Sequence, residues 1–155
     1  MTEVGFYHLQ ATTLEKALGQ LCERVLANDR RAVVRAASAE RVEALNRALW
    51  LYGRDSFLPH GSAEDGHAEH QPIYLTERDD EVPNGATVLI LVDGADAPDL
   101  DRFERCLYLF DGRDEDAVRA ARERWRKLRG EGHALTYWRQ NERGGWGRVD
   151  PTTAG

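Results

Sequence analysis

The run Ala86 to Val92, ATVLILV, carries no charge and a single hydroxyl. A strand with one wet face alternates apolar and polar residues; an unbroken apolar run has both faces covered, as at the centre of a parallel sheet. The first fifty residues supply partners for such a strand. Val4 to Leu9 (VGFYHL) is rich in strand formers. Thr12 or Thr13 then caps a helix whose apolar positions Leu14, Ala17, Leu18, Leu21, Cys22 and Val25 recur at helical spacing. Asn28-Asp29 ends it, Ala32 to Ala36 is a second strand, and Ser38 caps a second helix that places Val42, Leu45, Ala48 and Leu49 on one face as far as about Leu51. Strand, helix, strand, helix in that order favours a parallel sheet with helices on its faces.

Further along, Ile73 to Thr76 and Arg105 to Phe110 read as strands, Asp99 to Phe103 as a turn of helix, and Ala134 to Arg139 as a last strand. Gly53 to Gly61 is a loop around a short extended piece, Ser56-Phe57-Leu58, and the segment from Gly61 to Pro72 is a polar excursion. The fold predicted is α/β: three layers, a mainly parallel sheet with helices on both faces, a Rossmann-like topology without a nucleotide-binding loop. Residues 1–140 form one domain, and the glycine-rich stretch 141–155 is expected to be a flexible tail. No apolar run approaches the roughly 20 residues needed to span a bilayer, and the N-terminus lacks the pattern of a signal peptide. Cys22 and Cys106 lie apart in apolar segments, as buried free thiols do in a reducing compartment, so a cytoplasmic location is expected. A sequence pI near 5.4 argues against general nucleic-acid binding.

Against that acidic background one helix stands out, Asp114 to Arg129 (DEDAVRAARERWRKLR). Its acidic start suits the positive end of the helix dipole, and Gly130 and Gly132 mark the stop. Ala117, Val118, Ala121, Trp125 and Leu128 fall on one arc, the core face. Arg119, Arg122, Arg126 and Arg129 form a stripe along the edge of that arc, next to Trp125. From Val118 to Arg129 there are six basic residues and one acidic, a balance of +5 on a chain of net charge −6. Arginine forks bind carboxylates in bidentate fashion, and an indole offers a wall to an apolar side chain. Together they suit a short acidic peptide ending in an aromatic residue and a free carboxylate. The alternatives are a solvated arginine face, with Trp125 and Trp138 as core fillers.

Catalytic chemistry finds little support. There is no G-x-x-x-x-G-K-[ST], and the first strand runs into Gln10-Ala11-Thr12, where a dinucleotide fold carries G-x-G-x-x-G. His60, His67 and His70, with Glu64, Asp65 and Glu69, fit no compact zinc spacing and read as a solvated loop. Ser56 and Ser62 lie outside any G-x-S-x-G turn, Cys22 and Cys106 lack a histidine next to them in sequence, and Asp93 and Asp96 are expected to cap a turn.

The ordered set Leu49-Trp50, Ser56-Phe57-Leu58-Pro59-His60 and Ala121-Arg122-Glu123-Arg124-Trp125-Arg126, with Phe6-Tyr7 in the opening strand, resembles the chi subunit of bacterial DNA polymerase III from about Val4 to Arg139. The resemblance implies a non-catalytic clamp-loader accessory subunit, without cofactor or metal, that bridges the clamp loader, through the psi subunit, to the acidic C-terminal tail of single-stranded-DNA-binding protein. That tail ends in phenylalanine with its free carboxylate. The family's basic helix corresponds to Asp114 to Arg129, so Arg122, Trp125 and Arg126 carry over as tail-binding residues, and Arg119 and Arg129 complete the stripe. Trp125 stands where a tyrosine is expected, and Val118 where another cation is expected, with Arg119 placed to compensate. Trp50, Phe57 and His60 are the candidate surface for psi or another clamp-loader subunit; closing the core is the other reading of Trp50 and Phe57. The histidine-rich segment and the residues beyond Gln140 depart from the family pattern. No sequence-specific nucleic-acid contact and no membrane contact are expected. Two other readings stay open: a small nucleotide- or metal-dependent α/β enzyme, and an adaptor for a different acidic partner.

Overall fold

The apolar run lies inside an eight-stranded sheet, and its core, Val88–Leu91, is buried with a parallel neighbour on each side. The computed structural model describes residues 2–52 and 58–149. In chain order they form β1 (Glu3–Leu9), α1 (Leu14–Ala27), β2 (Ala32–Arg35), α2 (Ala39–Tyr52), β3 (His60–Ser62), β4 (Ile73–Thr76), β5 (Val88–Leu91), β6 (Arg105–Asp111), α3 (Glu115–Gly130), β7 (Ala134–Gln140) and β8 (Trp146–Val149). The strand order is β3-β4-β2-β5-β6-β1-β7-β8, parallel throughout except for the final β7–β8 pair.

Alternation along the strands sends one set of side chains to each face. On one face Leu9, Val34, Ile90 and Leu109 pack against Leu18, Leu21 and Cys22 of α1 and Leu45 and Leu49 of α2. On the other, Val4, Phe6, Leu89, Tyr108 and Phe110 pack against Ala121 and Leu128 of α3 and against Leu100 and Phe103. This is the three-layer α/β arrangement that the alternation of elements predicts. The caps are those expected: Thr13 Oγ1 accepts from the Lys16 amide at 3.2 Å, Ser38 Oγ from the Arg41 amide at 3.2 Å, and Asp114 from the amides of Asp116 and Ala117. Both cysteines are buried and free. Among the described residues no helix is long and apolar enough to cross a membrane.

Two segments differ from expectation. The polar excursion starts with a three-residue parallel edge strand, β3, followed by 3-10 turns at Ala63–Asp65 and Ala68–His70. Its HGS sequence is too short and polar to register as a strand. The stretch after Gln140 is not all tail: Trp146–Val149 pairs antiparallel with β7 through a turn in which the Asn141 carboxamide oxygen accepts from the amides of Arg143 and Gly145 at 2.9 Å each. The predicted extended piece Ser56-Phe57, and residues 150–155, lie outside the described residues.

Among the described residues, one guanidinium is almost wholly buried. Arg35, at the end of β2, is 1% exposed and makes a bidentate ion pair with Asp99 at 2.6 and 2.8 Å, its guanidinium 5.6 Å from the Phe103 ring. The Arg35 fork holds the Asp99 carboxyl below the usual carboxylate range. A depressed pKa contributes stability above the unfolded value of about 3.9, lost as pH falls through the folded one. Asp99→Ala leaves a buried guanidinium unpaired and is expected to cost about 3–5 kcal/mol in urea unfolding at neutral pH. The difference from wild type should begin to shrink below about pH 4, where the unfolded-state carboxyl protonates, and should close only below the lower folded-state value.

Candidate functional site

Helix α3 lies across the β1–β6–β7 end of the sheet, and its two sides do different work. Ala121 and Leu128 are buried, and Ala117, Val118 and Trp125 are half-buried against the same core, the arc that helical spacing predicts. Trp125 is neither a pure core filler nor a surface residue. Its ring meets Phe6 edge-on at 5.1 Å and Tyr137 at 6.0 Å, joining an aromatic cluster that continues through Tyr108 and Phe110. Trp138, the other tryptophan singled out, points to the opposite face, stacked on Tyr7 at 6.1 Å.

The arginines of α3 divide by partner. Arg124 is structural: it donates to the carbonyls of Ala95 and Gly94 at 3.2 and 3.4 Å and lies 5.3 Å over the Tyr108 ring. Arg119 pairs with Asp116 at 3.3 Å, one turn back on its own helix. Arg122, Arg126 and Arg129 are exposed and have no carboxylate partner among the described residues. They leave an unneutralised cationic edge beside Trp125.

Tertiary structure adds residues to that edge that spacing did not bring forward. His8 on β1, Phe110 on β6, and Tyr137 and Arg139 on β7 share the α3 face at the C-terminal ends of their strands. Parallel register sets His8 opposite Phe110 on one side and Arg139 on the other. The His8 Nδ1 and the Tyr137 hydroxyl are 2.6 Å apart. Burial, then the nearby charges of Arg139 and Arg122, hold His8 below the usual histidine range, opposed by Asp111. The Nε of Arg139 is buried without a hydrogen-bond partner. The available clue was strand alternation: Phe6 and His8, like Leu135, Tyr137 and Arg139, recur at spacing two.

At the place where this topology could bind a nucleotide, the loop after β1, the backbone is already occupied. The Gln140 carboxamide oxygen accepts from the amides of Gln10, Ala11 and Thr12 at 3.1, 2.8 and 3.0 Å, and its nitrogen donates to Thr12 Oγ1 at 2.7 Å. Those three N–H groups are the ones a phosphate would need. A cleft of about 590 Å³ opens beyond β2, β4 and β5, lined by Arg35 and Arg78 but also by Glu77, Asp79, Asp80, Asp93 and Asp96. That balance repels phosphate. Asp93 is in the left-handed region at φ 56° and accepts from Arg41 Nε at 2.9 Å, while Asp96 accepts from the Ala97 amide at 2.8 Å, the turn roles expected of them. Among the described residues, no group of three or more His, Cys, Asp or Glu is placed to hold a metal ion.

A second surface lies at the far edge of the sheet. At the end of α2, Trp50 and Leu51 are large apolar residues that are 60% and 71% exposed, so Trp50 does not close the core. His60, expected beside it at the surface, is instead buried. Its ring nitrogens face the carbonyls of Leu58 and Asn46 at 2.7 and 3.1 Å, and its ring lies 4.6 Å from that of Trp50. His60 therefore supports Trp50 from beneath. Phe57 lies outside the described residues; His67 and His70 are exposed.

A family model described as DNA polymerase III chi subunit, HolC, matches residues 1–136. A protein of Rickettsia prowazekii (strain Madrid E) named probable DNA polymerase III subunit chi is 33% identical over 96 residues, 62% of this chain and 58% of that protein. The aligned part is thus a little over half of that relative's length.

The two sides of α3 predict different responses to truncation. Trp125→Ala removes a half-buried aromatic and is expected to cost about 2–3 kcal/mol in chemical unfolding. Arg122→Ala touches no core atom and should change stability by no more than about 0.5 kcal/mol.

Proposed function

The chain belongs to the DNA polymerase III chi subunit family, and on that premise we propose that it is a non-catalytic accessory subunit of the replicative polymerase, linking the clamp loader to the acidic C-terminal tail of single-stranded-DNA-binding protein. The observation that carries this reading is the row of exposed arginines on α3, Arg122, Arg126 and Arg129, without a carboxylate partner among the described residues and beside the half-buried ring of Trp125. A tail of aspartates would lie along the arginines, and its final phenylalanine would pack against Trp125, with the terminal carboxylate held by a guanidinium fork. Arg119 belongs to the same stripe but is engaged by Asp116, so its contribution requires release from that partner.

Attachment to the loader falls to the other end of the molecule. Trp50, with Leu51 beside it and His60 beneath, is a protruding apolar surface of the kind that marks a partner site, and we assign it, together with Phe57 between them in sequence, to psi or another clamp-loader subunit. The two surfaces are carried by different elements, α3 and the end of α2, so one chain can hold both partners at once. The enzyme reading is disfavoured by the occupied amides of the β1–α1 loop and by the acidic cleft near Asp93.

Calorimetric titration with an acidic peptide ending in phenylalanine tests the tail site. Micromolar affinity is expected, about −7 to −8 kcal/mol, with no binding of the same peptide lacking its final residue. Arg122→Ala should lose about 1.5–3 kcal/mol of binding. Affinity should fall between about 50 and about 300 mM salt; a salt-independent affinity would remove the arginines from the account. Trp50→Ser is expected to weaken capture of clamp-loader subunits by about tenfold or more while leaving peptide binding unchanged.

A further inference from the structure

The α3 stripe is one wall of the proposed tail site, and the sheet end beneath it carries two further basic side chains, His8 and Arg139. Arg139 has a buried Nε with no acceptor, on a strand whose neighbour presents His8 in direct register. The groups facing His8 come from every element around it: Arg139 and Tyr137 from β7, Arg122 from α3 and Asp111 from β6. Asp111 is taken by Arg113, which donates to it at 2.8 Å. The charges of two guanidiniums therefore act on the imidazole, Arg139 also bonding the Tyr137 hydroxyl, and the one carboxylate near it is engaged by Arg113. The imidazole is held in place by the Tyr137 hydroxyl and by close backbone approach at Gly112, where a Cβ would fall 1.9 Å from His8 Nε2.

Resting on the tail-binding reading above, we propose that Arg139 and His8 extend the site from α3 onto the sheet end, where a tail carboxylate is held between Arg139 and Arg122, and that its binding is coupled to uptake of one proton by His8. In the free protein, burial and the two arginines disfavour the imidazolium. A carboxylate arriving between those arginines offsets them and favours it. The complex then binds a proton that the free protein does not, so affinity rises as pH falls from neutral toward the free-state value of His8. The carboxylates of the peptide stay ionised to about pH 4, well below that window. A site made of α3 arginines alone has no such dependence, because guanidinium does not titrate there.

The test is calorimetry with the phenylalanine-ended acidic peptide at about pH 7.5 and about pH 5.5, together with proton NMR of the His8 ring with and without saturating peptide. Wild type should bind about three- to tenfold tighter at the lower pH, within the one-proton ceiling of tenfold per pH unit. The His8 titration midpoint should move upward on binding. His8→Gln should flatten the pH profile. Arg139→Gln should weaken binding about tenfold, and Arg139→Lys should recover part of the loss but not all, because the fork is gone. If either variant fails to fold, the wild-type His8 titration decides, and an unmoved midpoint overturns the proposal. A flat wild-type profile with unweakened Arg139→Gln also overturns it; if Arg122→Ala still loses affinity in that case, the tail reading stands without the extension. Absence of peptide binding by folded wild type at both pH values removes the tail reading and the extension together.

Discussion

Strand β1 is bonded in parallel along its whole length on one side to β6 and along Glu3–His8 on the other to β7, and most of the molecule's organisation follows from that. A strand enclosed on both edges has no freedom of register, and a strand enclosed on both faces must satisfy two cores at once. Phe6 goes to the α3 side, Leu9 to the α1 side. The same alternation that buries Phe6 under Trp125 carries His8 to the same face two residues later, where the strand reaches the surface. The candidate site is thus the place where a core-facing row of side chains emerges from the core.

Charge placement is the second consequence. With both faces of the sheet covered, helix α3 can use only a narrow arc for packing and leaves the remainder to solvent. On this chain that remainder is rich in arginine beyond the acidic first turn, against a net charge of −6. Arg124 and Arg119 find partners on the protein; among the described residues, Arg122, Arg126 and Arg129 have no carboxylate partner. Concentrating unneutralised cations on one helix of an acidic protein gives an anionic partner a single attractive region and repels it elsewhere, which favours specificity more than raw affinity.

Gln140 gives the loop after β1 an internal partner. One carboxamide oxygen receives three consecutive amides of the β1–α1 loop. An internal side chain thereby takes the role of the phosphate and ties the end of β7 to the end of β1. This also holds in place the strand ends that carry His8 and Arg139. The loop that holds phosphate in dinucleotide-binding α/β folds is here a structural joint.

Much of the fold was legible in residue order. Periodicity distinguished helix from strand for every long element; Thr13, Ser38 and Asp114 marked the helix starts; and the run around Val88–Leu91 identified the interior of the sheet. These are local effects, settled by hydrogen bonds and burial within a few residues. β3 and β8 were not legible, because a three-residue HGS strand and a glycine-flanked WGRV strand have almost no pattern of their own and exist through pairing with a neighbour. The site divided in the same way. Arg122, Trp125 and Arg126 share one helix, so a spacing of three and four was enough to bring them together. His8 and Arg139 are 131 residues apart, and only the parallel pairing of β1 with β7 makes them neighbours. That Trp50 is exposed while His60 is buried beneath it was likewise invisible in the sequence, because both are large rings near a helix end, and the packing of that end against β3 decides which of them reaches water.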